Sequence, residues 1–194
     1  MKSWIFLAAE AFFTASCLAG EVAVQLKTID NRTYEVDGRF TALAPRRAAW
    51  ETLTDYDHIA DWVSSMRASR VQERGPDRIL VEQDASGQFL LFSRHARVLL
   101  EVRETPLRRI DFTDALLKDF VSYSGSWEIA ESSGGVLVTY RLSAEPRLAA
   151  PSFVKKRILK RSIQNLLNEV RAEILRRSAT SSPNDGQSVA SKKE

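Results

Sequence analysis

PSFVKKRILKRSIQNLLNEVRAEILRR, residues 151–177, is the stretch that decides the fold. Leu159, Ile163, Leu166, Val170 and Ile174 recur in steps of four, three, four and four, with Leu167 beside them. That spacing draws one apolar stripe down a long α-helix. Pro151 opens the helix, where a missing N–H costs nothing. Ser152, Phe153, Val154 and Lys155 form its opening turn, although they also match the S-x-x-K spacing of serine acyl enzymes. The partner motifs of that chemistry are absent. Arg176 and Arg177 sit at the negative end of the helix dipole. A helix of this length with a single stripe needs a broad apolar surface to lie on.

Upstream, the sequence supplies that surface as strands. From Thr33 to Leu43, Tyr34, Val36, Phe40 and Ala42 alternate with Glu35, Asp37, Arg39 and Thr41, the period of a half-buried strand. Pro45 then opens a helix with Trp50, Leu53 and Thr54 inward. Asp55-Tyr56-Asp57-His58 breaks it, and Ile59, Trp62 and Val63 make a second short helix. Residues 66–146 turn to repeated strands around 79–81, 89–102, 110–116, 120–129 and 136–142. Gly75-Pro76-Asp77, Ser86-Gly87, Thr105-Pro106 and Ser132-Ser133-Gly134-Gly135 punctuate them. Such short links imply antiparallel neighbours. The expected fold is α+β: a curved antiparallel sheet wrapped around the long C-terminal helix, with two short helices after the first strand. Between helix and sheet there is room for a cavity, filled by side chains or kept for an apolar ligand.

Composition fits one such domain. The chain has 194 residues, 44% hydrophobic and 27% charged, with a formal net charge of +3. One cysteine excludes an intrachain disulfide and a cysteine-built metal centre, and two histidines are too few for a histidine-built one. No H-E-x-x-H, P-loop or dinucleotide glycine pattern occurs. Residues 1–20 run from Lys2 through Trp4–Ala9 and Ala11–Phe13 to small residues at Ala19 and Gly20, the order of a secretory signal. This implies export to the periplasm. Cleavage at Ala19 removes Cys17; lipidation would keep it, since Thr14-Ala15-Ser16-Cys17 resembles a lipobox. Residues 21–177 then form the domain, and the Ser-rich 178–194 a disordered polar tail.

The run Trp50-Glu51-Thr52-Leu53-Thr54-Asp55-Tyr56-Asp57-His58-Ile59-Ala60-Asp61-Trp62-Val63 resembles the helix pair that follows the first strand in the START-like (SRPBCC) superfamily. The polyketide cyclase/dehydrase and coenzyme-Q-binding branch is the most similar. Val81-Glu82-Gln83, Phe92-Ser93, Val98–Val102, Ile110-Asp111-Phe112, Asp119-Phe120, Gly125-Ser126-Trp127 and Pro146 continue the resemblance in order. Leu166-Leu167, Glu169 and Glu173-Ile174 complete it, so that it spans residues 33–177. It implies a helix-grip fold around an apolar cavity. It also implies a lipid, quinone or polyketide as ligand, with cyclisation or dehydration in a few members. The superfamily shares no catalytic motif, so the resemblance does not imply an enzyme.

Several residues are candidates for contact with that ligand. Arg94 falls on the apolar parity of the 89–102 segment, with Phe92, and a buried guanidinium needs a carboxylate or a ligand oxygen. His95 falls on the polar parity. Tyr123 and Trp127 share one inward parity, and Tyr140 shares another with Val138 and Leu142. Rings with a polar end can line a pocket and orient a ligand, or simply pack in the core. Trp62, just after the helix break, is placed to flank a cavity mouth. The expected ligand set is therefore Arg94, Tyr123, Trp127, Tyr140, Trp62 and Phe92, with no catalytic residue, cofactor or metal. Asp55, Asp57, His58 and Asp61 have the composition of a metal cluster, but capping of the second helix by Asp55 or Asp57 explains them more simply. A cyclase would instead use Arg94 at a developing oxyanion, with Asp111 or Asp119 moving protons. Residues 147–177 carry nine Lys or Arg against two Glu. Lys155, Lys156, Arg157, Lys160 and Arg161 thus offer a face for anionic lipid headgroups or for a protein partner; an exported chain meets membranes rather than nucleic acid.

Overall fold

The computed structural model describes residues 21–30, 32–85, 96–147 and 150–180. The expected export signal with Cys17, Phe92, Arg94, His95 and the tail from residue 181 lie outside these residues.

Eight strands form one curved antiparallel sheet: β1 (Ala23–Ile29), β2 (Thr33–Ala42), β3 (Met66–Arg74), β4 (Ile79–Ala85), β5 (Ala96–Thr105), β6 (Arg109–Asp114), β7 (Phe120–Ser132) and β8 (Gly135–Pro146). Their spatial order is β1-β2-β8-β7-β6-β5-β4-β3. Every neighbour is adjacent in sequence except β2 and β8, whose pairing (Tyr34↔Ala144 through Ala42↔Val136) joins the first hairpin to the meander. Strand β1 lies ahead of the first strand read from sequence. It pairs with β2 through a turn in which the Asp30 carboxylate accepts the Thr33 N–H.

Helices α1 (Arg46–Thr54) and α2 (Ile59–Trp62), with a 3-10 turn at Tyr56–His58 between them, fill the gap between β2 and β3. Neither Asp55 nor Asp57 caps α2 through its side chain, contrary to the sequence expectation. The Asp57 carboxylate instead accepts the Val71 N–H at 2.8 Å, tying the turn to β3. Asp55 pairs with His58 Nδ1 at 2.6 Å and with Arg177 at 2.9 Å. These tertiary partners outcompete the local cap.

Helix α3 (Ser152–Thr180) runs three residues past the expected Arg177 and lies in the curve of the sheet. Its stripe behaves as its spacing requires: Ile163, Leu167, Val170 and Ile174 are buried, while Leu159 and Leu166 face the cavity. Gly38 on β2 lets the helix approach, since a Cβ there would lie 2.4 Å from Leu167 Cδ1. The Arg171 Nε donates to the Thr41 carbonyl at 2.9 Å. Near the helix end, the buried Glu173 accepts hydrogen bonds from Arg176 and Arg177, and Arg177 reaches on to Asp55.

Candidate functional site

The sheet and α3 enclose an apolar cavity of about 170 Å³. Each wall follows from strand or helix period. On β5, Ala96, Val98, Leu100 and Val102 alternate inward, as the sequence parity requires. On β7, Tyr123 and Trp127 share the inner face, and on β8 Tyr140, Leu142 and Ala144 do. Leu53, Tyr56, Ile59 and Trp62 close one side from the α1–α2 segment. Lys155, Ile158, Leu159, Leu166 and Val170 close the top from α3.

The aromatic residues form a connected cluster. Cross-strand register sets Trp127 against Tyr140, with ring centroids 4.4 Å apart. Phe112 on β6 lies opposite Gly125. A Cβ at Gly125 would sit 2.2 Å from the Arg141 carbonyl oxygen and 2.5 Å from the Phe112 ring. The missing side chain is what lets Phe112 lie across β7, 5.8 Å from Tyr123 and 6.1 Å from Tyr140. Phe120 adds a tilted contact to Tyr123 at 4.7 Å.

Polar groups in the lining are few. Burial pushes the Tyr123 and Tyr140 phenols above their ordinary range, and the two phenols influence each other. Both therefore stay protonated and neutral near pH 7. Burial also raises the Tyr56 phenol, which donates to Glu104 Oε1 at 2.7 Å. The Trp62 Nε1 donor is buried with no partner among the described residues. Gln83 and Ser65 add an amide and a hydroxyl. Lys155 is the charged residue of the described lining, which contains no Asp, Glu or His.

Of the expected ligand residues, Tyr123, Trp127, Tyr140 and Trp62 come together in this lining; Arg94 and Phe92 lie outside the described residues. The carboxylates that an enzyme reading needs are elsewhere. Asp111 pairs with Arg109 on the opposite face of β6, at 2.7 Å, and Asp119 accepts the Arg97 N–H at 2.9 Å. Asp55 pairs with His58 and Arg177, Asp57 accepts a backbone N–H, and no metal-holding group of acids and histidines occurs among the described residues. Sequence reasoning missed Tyr56, Gln83 and Ser65. Tyr56 was legible: it lies three residues after Leu53 and before Ile59, on the inner side of the helix break.

A sheet curled around one long helix, with an apolar cavity between them, defines the helix-grip class of domain. The family model for polyketide cyclase/dehydrase and lipid transport matches residues 43–171, and the chain belongs to that family. Among solved structures, it is similar to the Zhui aromatase/cyclase of Streptomyces sp. R1128, with 15% identity and a TM-score of 0.64, over 80% of this chain and 99% of that one. It is similar to a STAR-related lipid transfer protein of Xanthomonas axonopodis, with 16% identity and a TM-score of 0.64, over 79% and 93% of the two chains. It also covers 50% of the di-domain aromatase/cyclase BexL, by 76% of its own length, with 11% identity and a TM-score of 0.63. At these identities the likeness concerns the fold alone. No curated protein sequence matches the chain.

Proposed function

We propose that this protein binds a hydrophobic small molecule or lipid between sheet and α3 and carries it without chemical change. The observation behind this reading is the lining: apolar walls with neutral hydrogen-bond donors and no acid–base pair among the described residues. A ligand giving up roughly 200 Å² of apolar surface gains about 5 kcal/mol, less the cost of immobilising it. Tyr123, Tyr140 and Trp62 orient an acceptor oxygen, and Trp127 packs on the apolar body. In the same reading Phe92 and Arg94 complete the site. The protein works after export to the periplasm, and the basic start of α3, Lys155 to Arg161, faces anionic headgroups during loading.

Filling the cavity tests this. The wild type should take up the apolar dye N-phenyl-1-naphthylamine at one equivalent, with bright emission. Val98→Trp should lose uptake while circular dichroism stays unchanged. Equal uptake by the filled variant would contradict the reading. So would conversion of a polyketide-like substrate at a rate that Tyr123→Phe or Arg94→Ala lowers by orders of magnitude.

A further inference from the structure

At the end of the molecule where Phe120, Pro146 and Lys155 line the cavity, exposed apolar residues and cations occur together. Leu116 and Leu117 on the β6–β7 loop are 42% and 43% exposed, and Phe153 in the first turn of α3 is 74% exposed. Chain contacts bring these two segments to one end of the molecule. The Arg147 N–H donates to the Asp119 carbonyl at 2.9 Å, and its Nε to the Phe120 carbonyl at 3.1 Å. Ser152 Oγ lies 3.4 Å from the Tyr34 hydroxyl, on the strand pair β2–β8 that ends beside them. Phe120, Pro146 and Lys155 all line the cavity there.

The β6–β7 loop is held open by design of its own hydrogen bonds. The buried Asp114 carboxylate accepts the N–H groups of Leu99, Leu116 and Leu117 at 2.9–3.1 Å. Leu117 sits in the left-handed region, at φ 47°, a conformation that leucine disfavours. A buried acid thus fixes two leucines outward rather than letting them fold onto the core.

Charge separates this end from the other. Lys118, Lys155, Lys156 and Arg157 have no acidic partner among the described residues; of the acids at the same end, Asp119 accepts the Arg97 N–H and keeps its charge, and Glu145 lies 3.9 Å from Arg32, so the cations remain in excess there. At the opposite end Leu43 and Leu107 are also exposed. There, however, Arg46 pairs with Glu131, and Arg109 with Asp111 and Glu128. Apolar tips at the same end as cations without acidic partners match an anionic bilayer: hydrocarbon takes the tips and headgroups take the charge.

We propose that this end holds the cavity's mouth and is a membrane-seating face, in which Leu116, Leu117 and Phe153 enter the interface of an anionic bilayer while Lys118, Lys155 and Lys156 meet its headgroups. Its purpose rests on the carrier reading above, because it sets the cavity mouth against the membrane. Co-sedimentation with vesicles of equal parts phosphatidylcholine and phosphatidylglycerol tests it. The wild type should bind these vesicles and bind phosphatidylcholine alone weakly. The double variant Leu116→Ser/Leu117→Ser and the single variant Phe153→Ser should each lose about tenfold in affinity. Lys155→Glu/Lys156→Glu should lose more, at about fivefold or greater per cation. Leu43→Ser should bind like wild type. Thermal melts confirm that each variant is folded, and Phe153→Trp should show blue-shifted emission, quenched by brominated lipid. Wild-type affinity in the serine variants, an equal loss in Leu43→Ser, or no vesicle binding by a wild type that still takes up dye from solution would overturn this face alone. Vesicle binding without dye uptake would instead sink the carrier reading.

Discussion

Tyr123 and Tyr140 show how few polar atoms the site uses. Both phenols are held in an apolar wall, where a hydroxyl that meets a ligand oxygen gains more than it would in water. Tyr140→Phe should weaken a ligand that bears a carbonyl or hydroxyl by about three- to tenfold, and a pure hydrocarbon hardly at all, as titration calorimetry would show. Trp62 is a further donor: its indole N–H lacks a partner among the described residues. Trp62→Phe should therefore leave stability within about 1 kcal/mol of wild type, while lowering affinity for an acceptor-bearing ligand. These residues were legible in sequence because strand parity alone sends Tyr123, Trp127 and Tyr140 inward. What parity cannot supply is adjacency. Phe112 lies among them only because Gly125 has no side chain, a fact of cross-strand register.

At the scale of elements, α3 was the most readable part, since one stripe of regular steps has one structural meaning. The expected cap of α2 failed because Asp55 and Asp57 found distant partners, Arg177 and the Val71 N–H, which no local pattern announces. Strand β1 was readable too: Val22, Val24 and Leu26 alternate with Gln25 and Lys27, but they follow directly on the residues taken for an export signal. The polar end of α3 gives a pH prediction. Hydrogen bonds from Arg176 and Arg177 hold the Glu173 carboxyl below its ordinary value. Burial alone would raise Asp55, but His58 and Arg177 outweigh it and lower it. A lowered carboxylate stabilises the fold above its unfolded pKa, and the gain is lost as pH falls through the folded one. His58 is raised by Asp55, so its contribution is present at low pH and fades as pH rises past about 6.5. Melting temperature should thus drop below about pH 4.5. In Glu173→Gln that drop should be shallower, from a starting stability lower by roughly 1–3 kcal/mol. At the middle of the sheet, Gly125→Ala forces a methyl against the Arg141 carbonyl and should cost roughly 1–3 kcal/mol in chemical denaturation, with the Phe112 ring displaced.

For the whole molecule, the curved sheet and its helix were legible together because a single long stripe and many short strands admit few packings. Cavity size was not, since it depends on whether side chains from seven strands and three helices meet in the middle. About 170 Å³ stays open. That suits a small ring or part of a chain, below the roughly 300–1,000 Å³ of a drug-sized site. A ligand that fits should raise stability by mass action, about 2.7 kcal/mol at a hundredfold excess over Kd. The most direct test is native mass spectrometry of the protein, purified gently from its own host, followed by extraction of whatever is released. The account predicts an apolar species bound one to one, lost on denaturation and chemically unaltered after reloading. A clean unliganded mass, together with no uptake of added lipids or quinones, would contradict it.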